Sequence, residues 1–97
     1  MVDWAIRMLL ETPAPIAIAT SRAMVTADLR GDLAKVDRPT VVLHGDKDAS
    51  APLEMTGRPT AAGIRGAVLK VYPGAPHGLF LTHMNQVNAD LLAFAKA

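Results

Sequence analysis

Two short clusters hold most of the chemically versatile side chains of this 97-residue chain: His44-Gly45-Asp46-Lys47-Asp48 and Pro76-His77-Gly78. An imidazole takes or releases a proton near neutral pH. A carboxylate set against one ring nitrogen holds the tautomer and stabilises the imidazolium. Asp48 and His77 stand 29 residues apart in sequence, so whether they can meet depends on the elements that carry them.

Those elements read as one strand-helix-strand unit. Thr40 to His44 is a continuous apolar and β-branched run ended by Gly45, the pattern of a strand buried on both faces of a parallel sheet. Leu53 to Arg65 reads as the crossover helix, with a break expected before Pro59, which cannot donate to the carbonyl four residues back. Ala67 to Tyr72 reads as a second strand, closed by Pro73-Gly74. In open α/β sheets functional loops gather outside the carboxyl ends of the strands. Both clusters occupy such a loop, so the spacing predicts that they open on one rim of the sheet.

Helical spacing of apolar residues predicts a helix over Val2 to Glu11, stopped by Thr12-Pro13, and another from Pro15 toward Thr26, both as cover for the sheet. Ala27 to Val36 is a short stretch in which Gly31 weakens helix formation. Thr82 is the expected N-cap of a last helix whose apolar face is Val87, Leu91, Leu92, Phe94 and Ala95. Met8, Met24, Met55 and Met84 read as core filling, and Trp4 as a packing residue or the wall of an acyl pocket. The division expected is 1–36, a helical cap remnant with linker, and 37–97, the strand-helix-strand-helix part. Two parallel strands lack neighbours on both edges, so something that completes the sheet is expected from outside the chain.

Composition narrows the function. Ten Lys and Arg stand against nine Asp and Glu, interspersed, for a net charge of +1, which attracts neither nucleic acid nor an anionic membrane. With no Cys there is no disulfide framework, thiolate nucleophile or zinc-thiolate site. No long apolar run and no basic leader is present, so the chain reads as soluble and cytoplasmic. Half of the residues are apolar but only 4% are aromatic, so the core is thin and marginal alone.

Several residues have plainer uses. Asp48 suits a turn residue bonding its own backbone, and Asp46 suits bonding to loop amides. His44, ending a buried strand, fits a satisfied core histidine better than a ligand. His77, between Pro76 and Gly78, has no packing explanation, whereas His83 suits a solvated or capping role. Asp46, Asp48 and Ser50 imitate the opening of a calcium loop, but Ala51 takes its sixth position and Gly57 its twelfth, where Gly and Glu are needed. His44, Asp46, Asp48 and His77 lack the helical His spacing of a metal site.

At these residues the chain resembles the α/β-hydrolase family, and more narrowly its cofactor-free haloperoxidase and aryl-esterase branch. The resemblance rests on Val41-Val42-Leu43-His44-Gly45-Asp46-Lys47-Asp48 with Pro52, Gly57-Arg58, Leu69-Lys70-Val71-Tyr72, and Ala75-Pro76-His77-Gly78 with Thr82-His83. Asn88 to Phe94 looks like that branch's last helix, and Asp3-Trp4 to Arg22 more weakly like the end of its cap. Met1 falls at the start of this cap remnant, which fits a truncated reading frame, an internal start or a cut piece alike. The implied fold class is α/β, the C-terminal part of an α/β-hydrolase. The resemblance implies that Asp48 is the acid and His77 the base of a Ser-His-Asp triad, whose order along the chain is Ser, acid, His.

The nucleophile does not appear. Ser21 and Ser50 are the only serines, and neither lies in a Gly-x-Ser-x-Gly turn. The function implied is ester hydrolysis, or peracid formation and halide oxidation through it, with no cofactor, on a small ester or carboxylic acid. A serine would come from a complementary N-terminal hydrolase segment. The rival expectation is an inactive interaction fragment that forms a homo-oligomer or pairs with such a segment through open strand edges.

Overall fold

The computed structural model describes residues 1–97. Val41–Gly45 form β1 and Val68–Tyr72 form β2, paired in parallel as a two-stranded sheet. Valine at 41, 42, 68 and 71 is stiff at χ1 and suits a pleated surface better than a helix. The register runs from Val41 beside Val68 to Gly45 beside Tyr72, so the two strands finish level. Their exit loops are therefore neighbours, as the spacing predicts.

The helices are α1 (Val2–Glu11), α2 (Ala14–Thr26), α3 (Arg30–Leu33), α4 (Gly57–Gly63), α5 (Leu79–Thr82) and α6 (Met84–Lys96). The crossover helix differs from the expected Leu53–Arg65. Leu53 to Thr56 are turns, α4 begins at Gly57, and Pro59 sits inside it rather than after a break. The reason is position. Pro59 is the third helical residue, where amides have no intrahelical acceptor, so its missing N–H costs nothing. Gly63 at the end of α4 admits Leu33 of α3, since a Cβ there would stand 2.7 Å from Leu33 Cδ1.

Thr82 is not the N-cap of the last helix. It closes α5, and its hydroxyl meets His83 Nδ1 at 2.8 Å, leaving His83 at the boundary before α6. On α6 only Val87 is buried, and Leu91, Leu92 and Phe94 remain more than 40% exposed. The expectation that α1 and α2 cover the sheet is also not met: every residue from Met1 to Asp32 is exposed, Trp4 included. Met8, Met24, Met55 and Met84 are exposed too, so none fills a core. β1 is half-buried and β2 mostly exposed, not buried on both faces.

What core exists lies under the carboxyl ends of the strands. Tyr72, Ala75 and Val87 are buried together, with Leu43 and Leu79 packed against them. Asp90 clasps α6 to β2: it accepts from the Tyr72 hydroxyl at 2.5 Å and from Lys70 Nζ at 2.5 Å. Lys70 and Tyr72 share a face because side chains two apart on a strand do. Burial and then the Asp90 carboxylate push the Tyr72 phenol up to about 12, while Lys70 and then Tyr72 hold Asp90 below the usual carboxylate range.

The surface totals 7656 Å², against roughly 5,400 Å² for a folded monomer of this size. The radius of gyration is 15.6 Å, against roughly 12.5 Å expected for such a length. The excess lies in the uncovered sheet and the two outlying helices. No helix is long and apolar enough to cross a membrane.

Candidate active site

The two strand exits are laced together before any side chain of the site is placed. Asp46 N–H donates to the Tyr72 carbonyl at 3.2 Å, and Lys47 N–H to the Ala75 carbonyl at 3.0 Å. Asp46 Oδ1 accepts from Gly74 N–H at 2.7 Å, which gives Asp46 the structural job expected of it. Tyr72 to Ala75 is a tight turn closed by Ala75 N–H on the Tyr72 carbonyl, with Pro73 second and Gly74 third at φ 74°, as a type II turn requires. Gly45 lets the loops touch. A Cβ there would lie 2.2 Å from the Ala75 carbonyl oxygen.

On this base Asp48 and His77 come into contact. His77 Nδ1 lies 2.8 Å from Asp48 Oδ2, and since a carboxylate only accepts, Nδ1 carries the hydrogen. Asp48 Oδ1 accepts from the Ser50 and Ala51 amides at 2.9 and 2.8 Å. Turn residue and partner of His77 are thus one arrangement, one oxygen for each use. The Asp48 side chain is only 4% exposed, while the His77 ring is 64% exposed and its Nε2 makes no hydrogen bond within the chain. Burial pushes the Asp48 carboxyl up, but the Ala51 amide, the His77 imidazole and the Ser50 amide together outweigh it. The net position is below the usual carboxylate range.

His44 is satisfied, as expected: Nε2 donates to the Ala51 carbonyl at 2.8 Å. The sequence reading missed that the same nitrogen also lies 3.5 Å from Asp48 Oδ2. The signal was the four-residue spacing of His44 and Asp48 across one tight turn. His83 stands apart, edge-on to Tyr72 at 6.4 Å between ring centroids. Ser21 lies on exposed α2, and Ser50 is engaged through its amide. The larger surface depression, about 980 Å³, runs between α2, α3 and α4 and includes neither Asp48 nor His77.

The arrangement suits acceptance of a proton. An exposed imidazole, locked by a buried carboxylate in the Nδ1–H form, presents a free Nε2 lone pair to accept a proton.

No family model matches the chain. Its sequence is 39% identical over 75 residues to a non-heme chloroperoxidase of Streptomyces lividans, covering 77% of this chain and 27% of that protein. It is 36% identical over 75 residues to a bifunctional esterase/perhydrolase of Acinetobacter calcoaceticus, covering 77% of this chain and 27% of that one. A bromoperoxidase from Bacillus anthracis superposes with a TM-score of 0.71 at 41% identity, over 73% of this chain and 26% of its own. The chain thus spans about a quarter of the length of the relatives it matches. By sequence and by fold, it belongs with the C-terminal part of the α/β-hydrolases of the non-heme haloperoxidase and esterase branch.

Proposed function

We propose that Asp48 and His77 are the acid and base of a Ser-His-Asp triad for ester hydrolysis, whose serine is supplied by a segment outside these 97 residues. The observation that carries this reading is the 2.8 Å contact of His77 Nδ1 with Asp48 Oδ2 beside an unengaged Nε2. In the reaction Nε2 takes the proton of the serine hydroxyl as its oxygen attacks the ester carbonyl. Asp48 stabilises the imidazolium, and Nε2–H then passes its proton to the departing alcohol. Water repeats the sequence on the acyl-serine and releases the acid. With hydrogen peroxide in place of water the product is a peracid, which oxidises halide. The names of the similar proteins, an esterase/perhydrolase, a non-heme chloroperoxidase and a bromoperoxidase, support both outcomes.

The test is reconstitution with a relative's N-terminal segment carrying the Gly-x-Ser-x-Gly turn. The chain alone is expected to hydrolyse p-nitrophenyl acetate no faster than its His77→Ala variant. The mixture is expected to gain turnover that His77→Ala lowers by about 10⁶-fold. Reconstituted hydrolysis that survives His77→Ala overturns the proposal. A second reading, an inactive fragment that self-associates, is favoured by the uncovered surface described above. Sedimentation as a folded monodisperse monomer would exclude it.

A further inference from the structure

We propose that His44 is a positioning residue for the Asp48–His77 pair, acting through Ala51 rather than on any reacting atom; the inference rests on the acid–base reading of that pair. The connection is continuous. His44 Nε2–H donates to the Ala51 carbonyl at 2.8 Å, the Ala51 amide donates to Asp48 Oδ1 at 2.8 Å, and Asp48 Oδ2 meets His77 Nδ1 at 2.8 Å. The Ala51 carbonyl also accepts from Thr56 Oγ1 at 3.1 Å, so that residue is held by two donors on one side and by the carboxylate on the other.

The His44 ring is confined to this pose. It is 12% exposed, and a Cβ on Gly57 would stand 2.5 Å from its Nδ1, so the first residue of α4 seats against the ring edge opposite Ala51. Nε2 is the ring nitrogen bearing hydrogen, because its close partner is a carbonyl oxygen. The same nitrogen also lies 3.5 Å from Asp48 Oδ2, so the ring stands beside the oxygen that receives His77. The result is a carboxylate with both oxygens directed: Oδ1 by a loop that His44 anchors, Oδ2 toward His77 with a second imidazole behind it. Without the His44 donor the two peptide groups that flank the Ala51 Cα turn more freely, and the aim of Asp48 loosens with them.

The tautomer of His77 reports this directly. Long-range ¹H–¹⁵N spectra of the full chain at about pH 9, where an ordinary imidazole is neutral, separate Nδ1–H from Nε2–H. The wild-type chain is expected to hold His77 as Nδ1–H, although a free neutral imidazole in water favours Nε2–H. His44→Phe keeps a planar ring and removes the donor. It is expected to lower the Nδ1–H to Nε2–H ratio about fivefold, the change that follows the loss of one net neutral hydrogen bond. His44→Gln, whose amide can still donate to Ala51, is expected to keep the wild-type ratio.

Folding is read from the backbone amides of Val41–Gly45 and Val68–Tyr72, and if His44→Phe does not fold the Gln arm decides alone. An unchanged ratio in folded His44→Phe, or a fall in His44→Gln, overturns the inference. So does loss of folding in both variants, because a residue that only positions leaves the strands paired. Wild-type His77 in the Nε2–H form would instead overturn the acid–base reading itself, before His44 is touched.

Discussion

Gly45→Ala tests whether the site depends on the approach of two loop backbones. Gly45 has no positive φ, so alanine suits its conformation, and the narrower unfolded ensemble alone would favour the variant by about 0.4–1 kcal/mol. Space decides otherwise. The added Cβ would lie 2.2 Å from the Ala75 carbonyl oxygen, 2.7 Å from its carbon and 2.9 Å from the Pro76 oxygen, all backbone atoms that cannot rotate away. Ordinary contact begins at 3.4 Å, so the loops must part by about 1.2 Å. Overpacking costs about 1–3 kcal/mol, and a clash with fixed backbone atoms takes the upper half of that range, about 2–3 kcal/mol, leaving a net loss of about 1–2.6 kcal/mol. At about 1 kcal/mol per molar urea, the unfolding midpoint falls by about 1–2.6 M with unchanged slope. Carried in full to His77, the parting stretches its 2.8 Å contact with Asp48 to about 4 Å, beyond hydrogen-bond reach. The urea curve and the His77 tautomer are read on the same sample. A variant as stable as the wild type, with His77 still Nδ1–H, refutes the reasoning.

Two pH profiles follow from the shifted groups. The Asp48 carboxyl is lower in the folded chain than its ordinary value of 3.8, so its contribution to stability is present above that value and is lost as pH falls through the folded position. Urea midpoints taken from about pH 6 down to about pH 2 are expected to drop, and Asp48→Asn to flatten part of the drop. Tyr72 runs the other way. Raised from 10.0 to about 12, its contribution is present below the first value and lost as pH rises through the second, so wild-type stability declines across that interval. Tyr72→Phe is expected to abolish this alkaline decline while lowering stability at neutral pH, since Asp90 keeps only Lys70. An alkaline slope retained in the phenylalanine variant counts against the Tyr72–Asp90 clasp.

The strands were legible to within a residue at each end because valine-rich runs bounded by Gly45 and Pro73-Gly74 leave little alternative. Their parallel pairing followed from the long connection, and the nearness of residues 48 and 77 followed from the pairing. Helix boundaries were less legible. Proline forbids a helix interior but fits a first turn, and nothing in the spacing of Gly57, Pro59 and Gly63 said which turn Pro59 would occupy. Thr82 is as good an N-cap as any threonine, and only the close of α5 displaced it. The burial of α1, α2 and the methionines was misread for a different reason. Amphipathic patterning reports which face of a helix can be covered, not whether the covering surface lies within the same 97 residues. The Lys70, Tyr72 and Asp90 cluster was invisible because it joins a strand face to a helix face, and neither periodicity carries the angle between them.

Asp48 and His77 hang from a single strand-helix-strand unit whose strand ends are level and whose exit loops are laced by three hydrogen bonds. Their relative placement is therefore carried by one cassette, Val41 to Leu79, braced from α6 by Val87 and Asp90. Recombination breakpoints outside that cassette leave the two partners facing each other. A breakpoint between residues 48 and 74 joins loops that were never fitted to one another.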